Sequence, residues 1–439
     1  MKLKLDIKKI NSKDISKDEK FNILNNTFFN YIKKTNYFNK NYIYTNFQQN
    51  IENINNFSNE FISVKAMVID NIGRLYIGGD FNKIGILSCN NIAMWDGKKW
   101  NSLKDGINGQ VVSLCIDKYN NLFVGGSFDG ANNNSIKSKN IIMWNSYNKK
   151  WIELDGGVNN NVSSIKKLSN GNIVIAGDFT NSINSLTYLE KIAYWNNISW
   201  NNLGEEFLID KSVFAIDIDT QDNIYIGGPY FPASVYDWNN QKWNKLVDNN
   251  SNELTQIINT IVINPITSNP VFGGIIQNFG SITNVFNVIE FDITNKTWNP
   301  LTNTDGFGLD SQCLSIFYNK TNNQLYAGGI FSKLTNGIED GLILNHIAVW
   351  NGIEWKNVGN GVNGNYVESF EFNQNNELFI GGSIFGSKNV WSNGLVIYTN
   401  NYINLFFKDK LLYTLTNFNK SITISVNECL TYIYNKVID

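Results

Sequence analysis

A single histidine, His346, and a single arginine, Arg74, set narrow limits on the chemistry this sequence can perform. Ser-His-Asp catalysis would have to use His346, and no serine sits on a strand-turn-helix nucleophile elbow. A copper centre built on imidazoles needs at least two of them. Clamping a carboxylate substrate with an arginine cluster, as sialidase-like sites do, is closed to a chain with Arg74 alone. No glycine-rich loop opens a helix, so phosphate cradling has no sequence support. Cys89, Cys115, Cys313 and Cys429 are scattered without a close pair, which argues against both metal ligation and a disulfide framework and for reduced thiols.

The carboxylates offer more. Asp217, Asp219 and Asp222 have a spacing faintly like a calcium loop. Asp70, Asp117 and Asn319 hold the place of Asp219 elsewhere, however, which marks it as a turn-forming position. Glu205, Glu206 and Asp210 make the most acidic loop. Glu368 and Glu371 interrupt an otherwise apolar strand, as Lys166 and Asp217 do in others, so these four are candidates to line an internal channel. Spacing alone assigns no glycosidase pair among them.

The elements that would position these residues recur. Gly78-Gly79, Gly125-Gly126, Ala176-Gly177, Gly227-Gly228, Gly273-Gly274, Gly328-Gly329 and Gly381-Gly382 follow one another at intervals of 46 to 55 residues. A period in that range means an array of one supersecondary unit. In the second repeat, Val111 to Asp117 reads as a strand, Lys118 to Asn121 as a turn, and Leu122 to Gly126 as a strand ending on two glycines. Ile141 to Trp144 and Trp151 to Leu154 complete four strands. Tryptophan pairs mark the third and fourth strands: Trp95/Trp100, Trp195/Trp200, Trp238/Trp243 and Trp350/Trp355, with Trp144/Trp151 and Phe291/Trp298 spaced two residues wider. In the seventh repeat Tyr398 and Tyr402 stand in. Eleven of the 12 tryptophans fall inside the repeat, so they are read as packing residues.

The first strands align without gaps on Val64, Val111, Val162, Val213, Ile258, Cys313 and Val367. Two residues on stand Ala66, Ser113, Ser164, Ala215, Thr260, Ser315 and Ser369, all small, as expected where sheets converge. The glycines are expected to let a neighbouring repeat's aromatic side chain lie against bare backbone. Four-stranded sheets repeated radially make a β-propeller. A solenoid would use shorter repeats, and a tandem of sandwiches would need roughly 100 residues per unit. The expected fold class is therefore all-β, a seven-bladed β-propeller of four-stranded antiparallel blades with a short, partly helical N-terminal extension.

A diglycine ending one strand, an aromatic-Asp/Asn pair in the next and a tryptophan opening the last resemble the kelch-type propeller repeat; here these are Gly79, Trp95-Asp96 and Trp100, or Gly274, Phe291-Asp292 and Trp298. The string Asn91 to Leu103, echoed by Asn345 to Trp355, is similar to the propeller repeats of fungal cortical polarity-marker proteins and their bacterial relatives. The resemblance spans about residues 61 to 407. It implies a fold and not an activity, because such propellers include enzymes, lectin-like modules and adaptors. The polarity-marker relatives also carry a signal peptide and a membrane segment, and neither is read in this sequence.

Three regions are expected: 1–60, the extension, with a capping box at Ser16 to Glu19 and Phe21, Leu24, Phe28 and Ile32 on one helical face; 61–407, the propeller; and 408–439, a strand pair formed by Leu411 to Thr416 and Ile422 to Val426. Either end could close the ring by covering an edge strand. Formal net charge is −2, so nothing steers the chain to nucleic acid or an anionic membrane. The start lacks an apolar signal region and no stretch is long enough to span a bilayer, which points to the cytoplasm. Abundant Asn, Lys and Ile with almost no Arg point to a very AT-rich genome, of a protist or of a large DNA virus, so a virus particle is a second expected location.

Loops between second and third strands, and between repeats, must leave by one rim. They are long, and several carry apolar residues: Ile84, Ile86 and Leu87; Leu186, Tyr188 and Leu189; Ile338, Leu342, Ile343 and Leu344; Phe385, Val390 and Trp391. About half are expected to fold back under their own loops. The expected function is a non-enzymatic scaffold that needs no cofactor or metal and binds another protein through Ile338, Leu342, Phe385, Val390 and Trp391, with Glu205, Glu206 and Asp210 on the acidic loop. The alternative is a carbohydrate-binding propeller, which requires tryptophans that are free to stack on sugars.

Overall fold

The structure is a computed structural model that describes residues 43–44, 63–84, 87–203, 211–387, 390–391, 394–398, 403–407 and 410–415. Among these there is no helix. Contacts divide the chain into two units, Thr45–Ile397 and Met1–Tyr44 with Tyr398–Asp439. In the second of these, the described residues form the strand Ile43–Tyr44 and an antiparallel hairpin of Ile403–Phe407 with Lys410–Leu415. The strand expected at Leu411 to Thr416 therefore pairs with the segment before it; Ile422 to Val426, and the helix expected after Ser16, lie outside the described residues.

In the larger unit every repeat builds its own antiparallel sheet. The first runs Ser63–Ile69, Leu75–Asp80, Ile92–Trp95, Trp100–Ser102 from inside to outside, and the same four-strand order recurs in the next five repeats. The innermost strands Ser63–Ile69, Ile107–Ile116, Val162–Lys167, Ala215–Ile218, Ile257–Ile263, Cys313–Tyr318 and Asn363–Phe372 contact one another in succession, and the last contacts the first. This is a β-propeller. Its cores lie between sheets: Tyr76 and Ile92 of the first repeat share one with Val111 and Val124 of the second, and Val64 and Leu75 share one with Phe379 and Leu395 of the seventh. Each sheet leaves apolar faces that only its neighbours can cover.

The aligned Val/Ile/Cys positions explain the glycines. All of them, from Val64 to Val367, are fully buried. Those that follow a glycine step fill a notch in the preceding sheet, as Val162 over Gly125, Ile258 over Gly227, Val367 over Gly328, and Val64 over Gly381 at the closure, whereas Val213 packs with Ala176. The residues seated on the glycines are thus mainly aliphatic, not the aromatic residues expected, with the Phe370 ring beside Val367 on Gly328 as an exception. The second glycine of each step answers a different need. In six repeats the inner strand carries a β-bulge just after the aligned residue, as between Val64 and Ala66 or Val111 and Ser113. The bulged backbone presses on Gly79, Gly126 and Gly274 so closely that a Cβ would strike the carbonyl of Ser63, Gln110 or Ile257.

The small residues at the bulge also bond. Ile165 N donates to Ser113 Oγ at 3.0 Å, Ile216 N to Ser164 Oγ at 3.4 Å and Ile316 N to Thr260 Oγ1 at 3.2 Å, each across to the next sheet. Ser369 Oγ donates to Val64 O at 3.2 Å and joins the last repeat to the first. On the outside, the tryptophan of the fourth strand reaches back one repeat in five of the repeats. Nε1 of Trp151, Trp200, Trp243, Trp298 and Trp355 donates to the carbonyl of Leu103, Leu154, Leu203, Asn252 and Leu301 at 2.7 to 3.2 Å. Burying the indole satisfies its only polar atom.

A third device sits before the third strand, where Asn91, Asn140, Lys191, Asn287, His346 and Gly394 have positive φ between 61° and 83°. Asn suits this left-handed backbone. The side chains of Asn91, Asn140 and Asn287 accept from Phe81 N, Phe128 N and Ile276 N, and donate to the carbonyls of Ile107, Val158 and Leu309 in the following repeat. His346 holds that place in the sixth repeat, and its Nδ1 is buried with no hydrogen-bond partner among the described residues. Burial holds its pKa below the ordinary histidine value.

Two outcomes follow. A Cβ on Gly227 would lie 2.5 Å from Ile258 Cγ2, so Gly227→Ala is expected to cost about 1–3 kcal/mol by overpacking. In a double-mutant cycle read by urea unfolding, Ile258→Ala should recover part of that loss. His346→Asn is expected to stabilise by about 1 kcal/mol by restoring the bonds made at Asn91. The depressed pKa of His346 means that its contribution is present above the ordinary value of 6.5 and is lost as pH falls below it. Melting curves between pH 7 and 5 should show less acid destabilisation in His346→Asn.

Candidate functional site

Two regions of the larger unit offer side chains to other molecules. The first is the rim beyond the diglycines. In the sixth repeat the loop after Gly329 forms a small sheet of Gly308–Leu309, Lys333–Thr335 and Asp340–Ile343, fastened by a Lys333 Nζ–Asp340 Oδ2 ion pair of 2.6 Å. Its hairpin tip is an Asn turn: Ile338 N and Glu339 N donate to Asn336 Oδ1 at 2.9 and 2.8 Å. This turn thrusts Ile338 outward, 92% exposed, and Leu342 and Ile343 on the returning strand are exposed too, whereas Leu344 is fully buried. In the seventh repeat the second strand, Leu378–Ser387, runs past its glycines and carries Phe385 to the surface.

The other candidates divide. Leu186 and Tyr188 are exposed, Leu189 is buried, and Ile84 and Leu87 pack against the core between the first and seventh repeats. The backbone of Val390–Trp391 pairs with Gly386 and Ser387, and only their backbone is described. Glu205, Glu206, Asp210 and Ile86 lie outside the described residues. So Ile338 and Leu342 share one hairpin, while Phe385 sits on the adjoining sheet. Reading the sequence missed Tyr230, 70% exposed on this same rim, and several apolar tips on the opposite rim: Tyr119, Tyr147, Ile198 and Ile353. Each of the latter stands alone on a tight turn, which is ordinary for a protein surface.

The second region is the axis. The innermost strands surround a cavity of about 1530 Å³. Two rings of side chains line it. One comes from the bulge residue, including Lys65, Asn259 and Glu368, with Phe214 at the corresponding place of the fourth repeat; the other lies three residues further on, with Cys115, Lys166, Asp217, Val262, Phe317 and Glu371. In the six bulged repeats the bulge turns the first ring inward, an instance of a bulge re-aiming a side chain. The four charged residues singled out from the sequence, Lys166, Asp217, Glu368 and Glu371, all line the cavity.

Their partners differ. Lys65 Nζ pairs with Glu368 Oε1 at 3.1 Å, and Ser63 Oγ donates to Glu368 Oε2 at 3.0 Å. Lys166 Nζ pairs with Asp217 Oδ1 at 2.8 Å, and Ile263 N donates to Asp217 Oδ2 at 2.8 Å. Burial works against the charge on Lys166, but Asp217 outweighs it and holds the ammonium above the ordinary lysine range. Cys115 is pushed up to about 11 by burial, so its thiol stays protonated at neutral pH. Glu371 Oε1 accepts from Phe372 N at 3.0 Å, and burial pushes its carboxyl up to about 7 against the opposing pull of the Phe372 and Ile69 backbone and of Lys320 and Lys166.

The calcium-loop reading of Asp217, Asp219 and Asp222 dissolves in this geometry. Asp219 is turned into its own tight turn, where Gln221 N, Asn223 N and Asn223 Nδ2 donate to it at 2.9 Å. Asp222 accepts from Ser169 N of the third repeat at 2.8 Å, and Asp217 points into the cavity. The three carboxylates serve three separate places.

Comparison with known proteins agrees with this architecture. A family described as the Rax2 C-terminal beta propeller domain matches residues 42–135. No curated protein matches by sequence. Among solved structures, the chain is similar to the extracellular domains of BT4673 and BT3049 from B. thetaiotaomicron, with TM-scores of 0.52 and 0.51 at 12% and 13% identity over 79% of this chain. It spans only 40% and 41% of those two domains. U3-55K is similar with a TM-score of 0.50 and 12% identity, covering 77% of this chain and 95% of its own. At such identities these likenesses show the fold, a β-propeller, and nothing of what the chain binds.

Proposed function

We propose that this chain is a seven-bladed, kelch-like, non-catalytic propeller that docks another protein through the rim carrying Ile338, Leu342, Ile343 and Phe385. The observation that carries this reading is the outward hairpin of the sixth repeat, which holds three exposed aliphatic side chains on a rigid scaffold. Desolvating such residues favours association, and a protein partner is the surface that can cover them. The Asn-, Lys- and Ile-rich composition favours a protist adaptor in the cytoplasm or a component of a large DNA virus particle.

The carbohydrate-binding alternative is weaker. Trp151, Trp200, Trp243, Trp298 and Trp355 are at least nine-tenths buried and their Nε1 atoms are committed to the preceding repeat. Buried indoles cannot stack on sugar rings. The carboxylates of the channel likewise give poor support to hydrolysis, since Glu368 is held by Lys65 and Asp217 by Lys166.

The test is affinity purification of the tagged chain from its native source, with Ile338→Asp/Phe385→Asp and, on the opposite rim, Tyr147→Asp compared by mass spectrometry. A stoichiometric protein that is retained by Tyr147→Asp and reduced at least about tenfold by the rim double variant is the expected result. A stoichiometric partner that both variants retain equally would remove this rim from the function.

A further inference from the structure

The axial cavity carries an asymmetry of charge that the docking reading does not use. Four charged side chains point into it from the two rings in ion pairs: Lys65 with Glu368, and Lys166 with Asp217. The carboxylates nearer the tight-turn mouth are consumed locally. Asp117 accepts from Tyr119 N and Asn121 N at 2.8 Å, and Asp219 is held in the same way by Gln221 N and Asn223 N. Glu371 is different: among the described residues no cation forms an ion pair with it, and Lys320 and Lys166 act on it only from a greater distance.

Its surroundings are mostly apolar. At the same level of the ring stand Val68, Cys115, Val262 and Phe317, all lining the cavity, with Phe317 on the adjoining inner strand. Lys166 and Asp217 of the third and fourth repeats also face the cavity at this level, but they neutralise each other, and Lys320 lies at the mouth. Lys65 and Lys166 are already paired, so an anion taking either of them would have to displace its carboxylate; Lys167 and Lys320 are the other lysines lining the cavity. A metal ion would find one carboxylate, and no group of three His, Cys, Asp or Glu side chains suited to a metal exists among the described residues. A positively charged nitrogen attached to an apolar body meets what the site lacks and what it offers: a counter-ion for Glu371, and aliphatic and aromatic surface for the rest.

We propose that the axial channel binds a small organic ammonium ion, with Glu371 as its counter-ion and Phe317, Val68 and Val262 as the wall for its carbon body. The cavity volume of about 1530 Å³ leaves ample room for such a molecule together with water. The site is independent of the rim that would dock a protein, so either can fail alone.

Because burial raises the Glu371 carboxyl to about 7, roughly half of the molecules carry a proton there at pH 7. Binding a cation must expel that proton. The experiment is isothermal titration calorimetry of the full chain with benzylammonium chloride, in two buffers of different ionisation enthalpy. Expected are saturable one-to-one binding, release of about half a proton at pH 7, and affinity that falls about tenfold per unit as pH drops well below 7. Glu371→Gln, checked for folding by its melting curve, should weaken binding about tenfold or more. Phe317→Leu, which keeps every charge, should weaken it less. Absence of binding to the wild-type chain at millimolar benzylammonium would overturn the proposal, as would equal binding by Glu371→Gln. Preferential binding of benzoate would overturn it too, since that would make the lysines the recognising groups.

Discussion

The fold rests on one steric fit: a buried side chain at the aligned position of each repeat, aliphatic in six and Cys313 in one, sits in a notch over a glycine of the preceding sheet, or over Ala176 in the case of Val213. The notch must be bare, since a Cβ at Gly125 would lie 2.7 Å from Val162 Cγ1 and one at Gly328 would lie 2.5 Å from Val367 Cγ1. Interiors packed to this density do not absorb an extra methyl without moving backbone. The same fit closes the ring, with Val64 of the first repeat over Gly381 of the seventh. Everything else follows at a fixed distance from that contact. The bulge comes one residue later, the bridging hydroxyl two, and the second ring of channel residues four.

This spacing divides the labour of the inner strand. Aligned Val/Ile/Cys residues and hydroxyls face neighbouring sheets and hold the seams. The bulge residue and the residue three beyond it face the axis and are released from packing, so their identity is free to vary. That freedom shows: the second ring holds two valines, a cysteine, a lysine, an aspartate, a phenylalanine and a glutamate. Opposite charges on neighbouring sheets, Lys166 with Asp217 and Lys65 with Glu368, then add cross-sheet attraction inside the channel. For groups that keep contact with water such pairs contribute little to stability, which is why the seams and not the ion pairs hold the ring.

Much of this was legible in the sequence because a repeat displays each structural requirement several times over. The diglycine steps, the tryptophan pairs and the aligned valines fixed strand order before any coordinates, and the small residues two places on marked a crowded seam. What failed did so for identifiable reasons. The partner of the glycines was expected to be aromatic, because the sequence shows that space is reserved without showing what occupies it. The bulge is not readable in the sequence, since the aligned inner strands keep the same spacing in the six repeats that carry it and in the fourth, which does not. Hydroxyls at Ser113, Ser164 and Thr260 were read only as small, whereas their oxygens also bridge to Ile165, Ile216 and Ile316. The three neighbouring aspartates of the fourth repeat suggest a shared site, but the strand ends at Ile218, so Asp217 faces the channel, Asp219 folds into its own turn and Asp222 reaches the third repeat.

The candidate surfaces were less legible than the scaffold, and the cause lies in how each is specified. A seam residue is constrained by a partner at a fixed repeat offset, so the sequence contains both halves of the contact. Rim residues answer to a molecule outside the chain, so only half is present. Leu344 and Leu342 illustrate the limit: two residues apart in one loop, one is fully buried and the other 44% exposed, and nothing in their own identity separates them. Glu371 is the intermediate case. Its place on an apolar inner strand marks it as unusual in the sequence, while the lack of a direct ion pair among the described residues becomes visible only when the inner strands of the other repeats are set around it. A charged side chain that interrupts a repeat in a position where others are apolar is therefore worth reading twice: once for the partner it has within the ring, and again for the one it lacks.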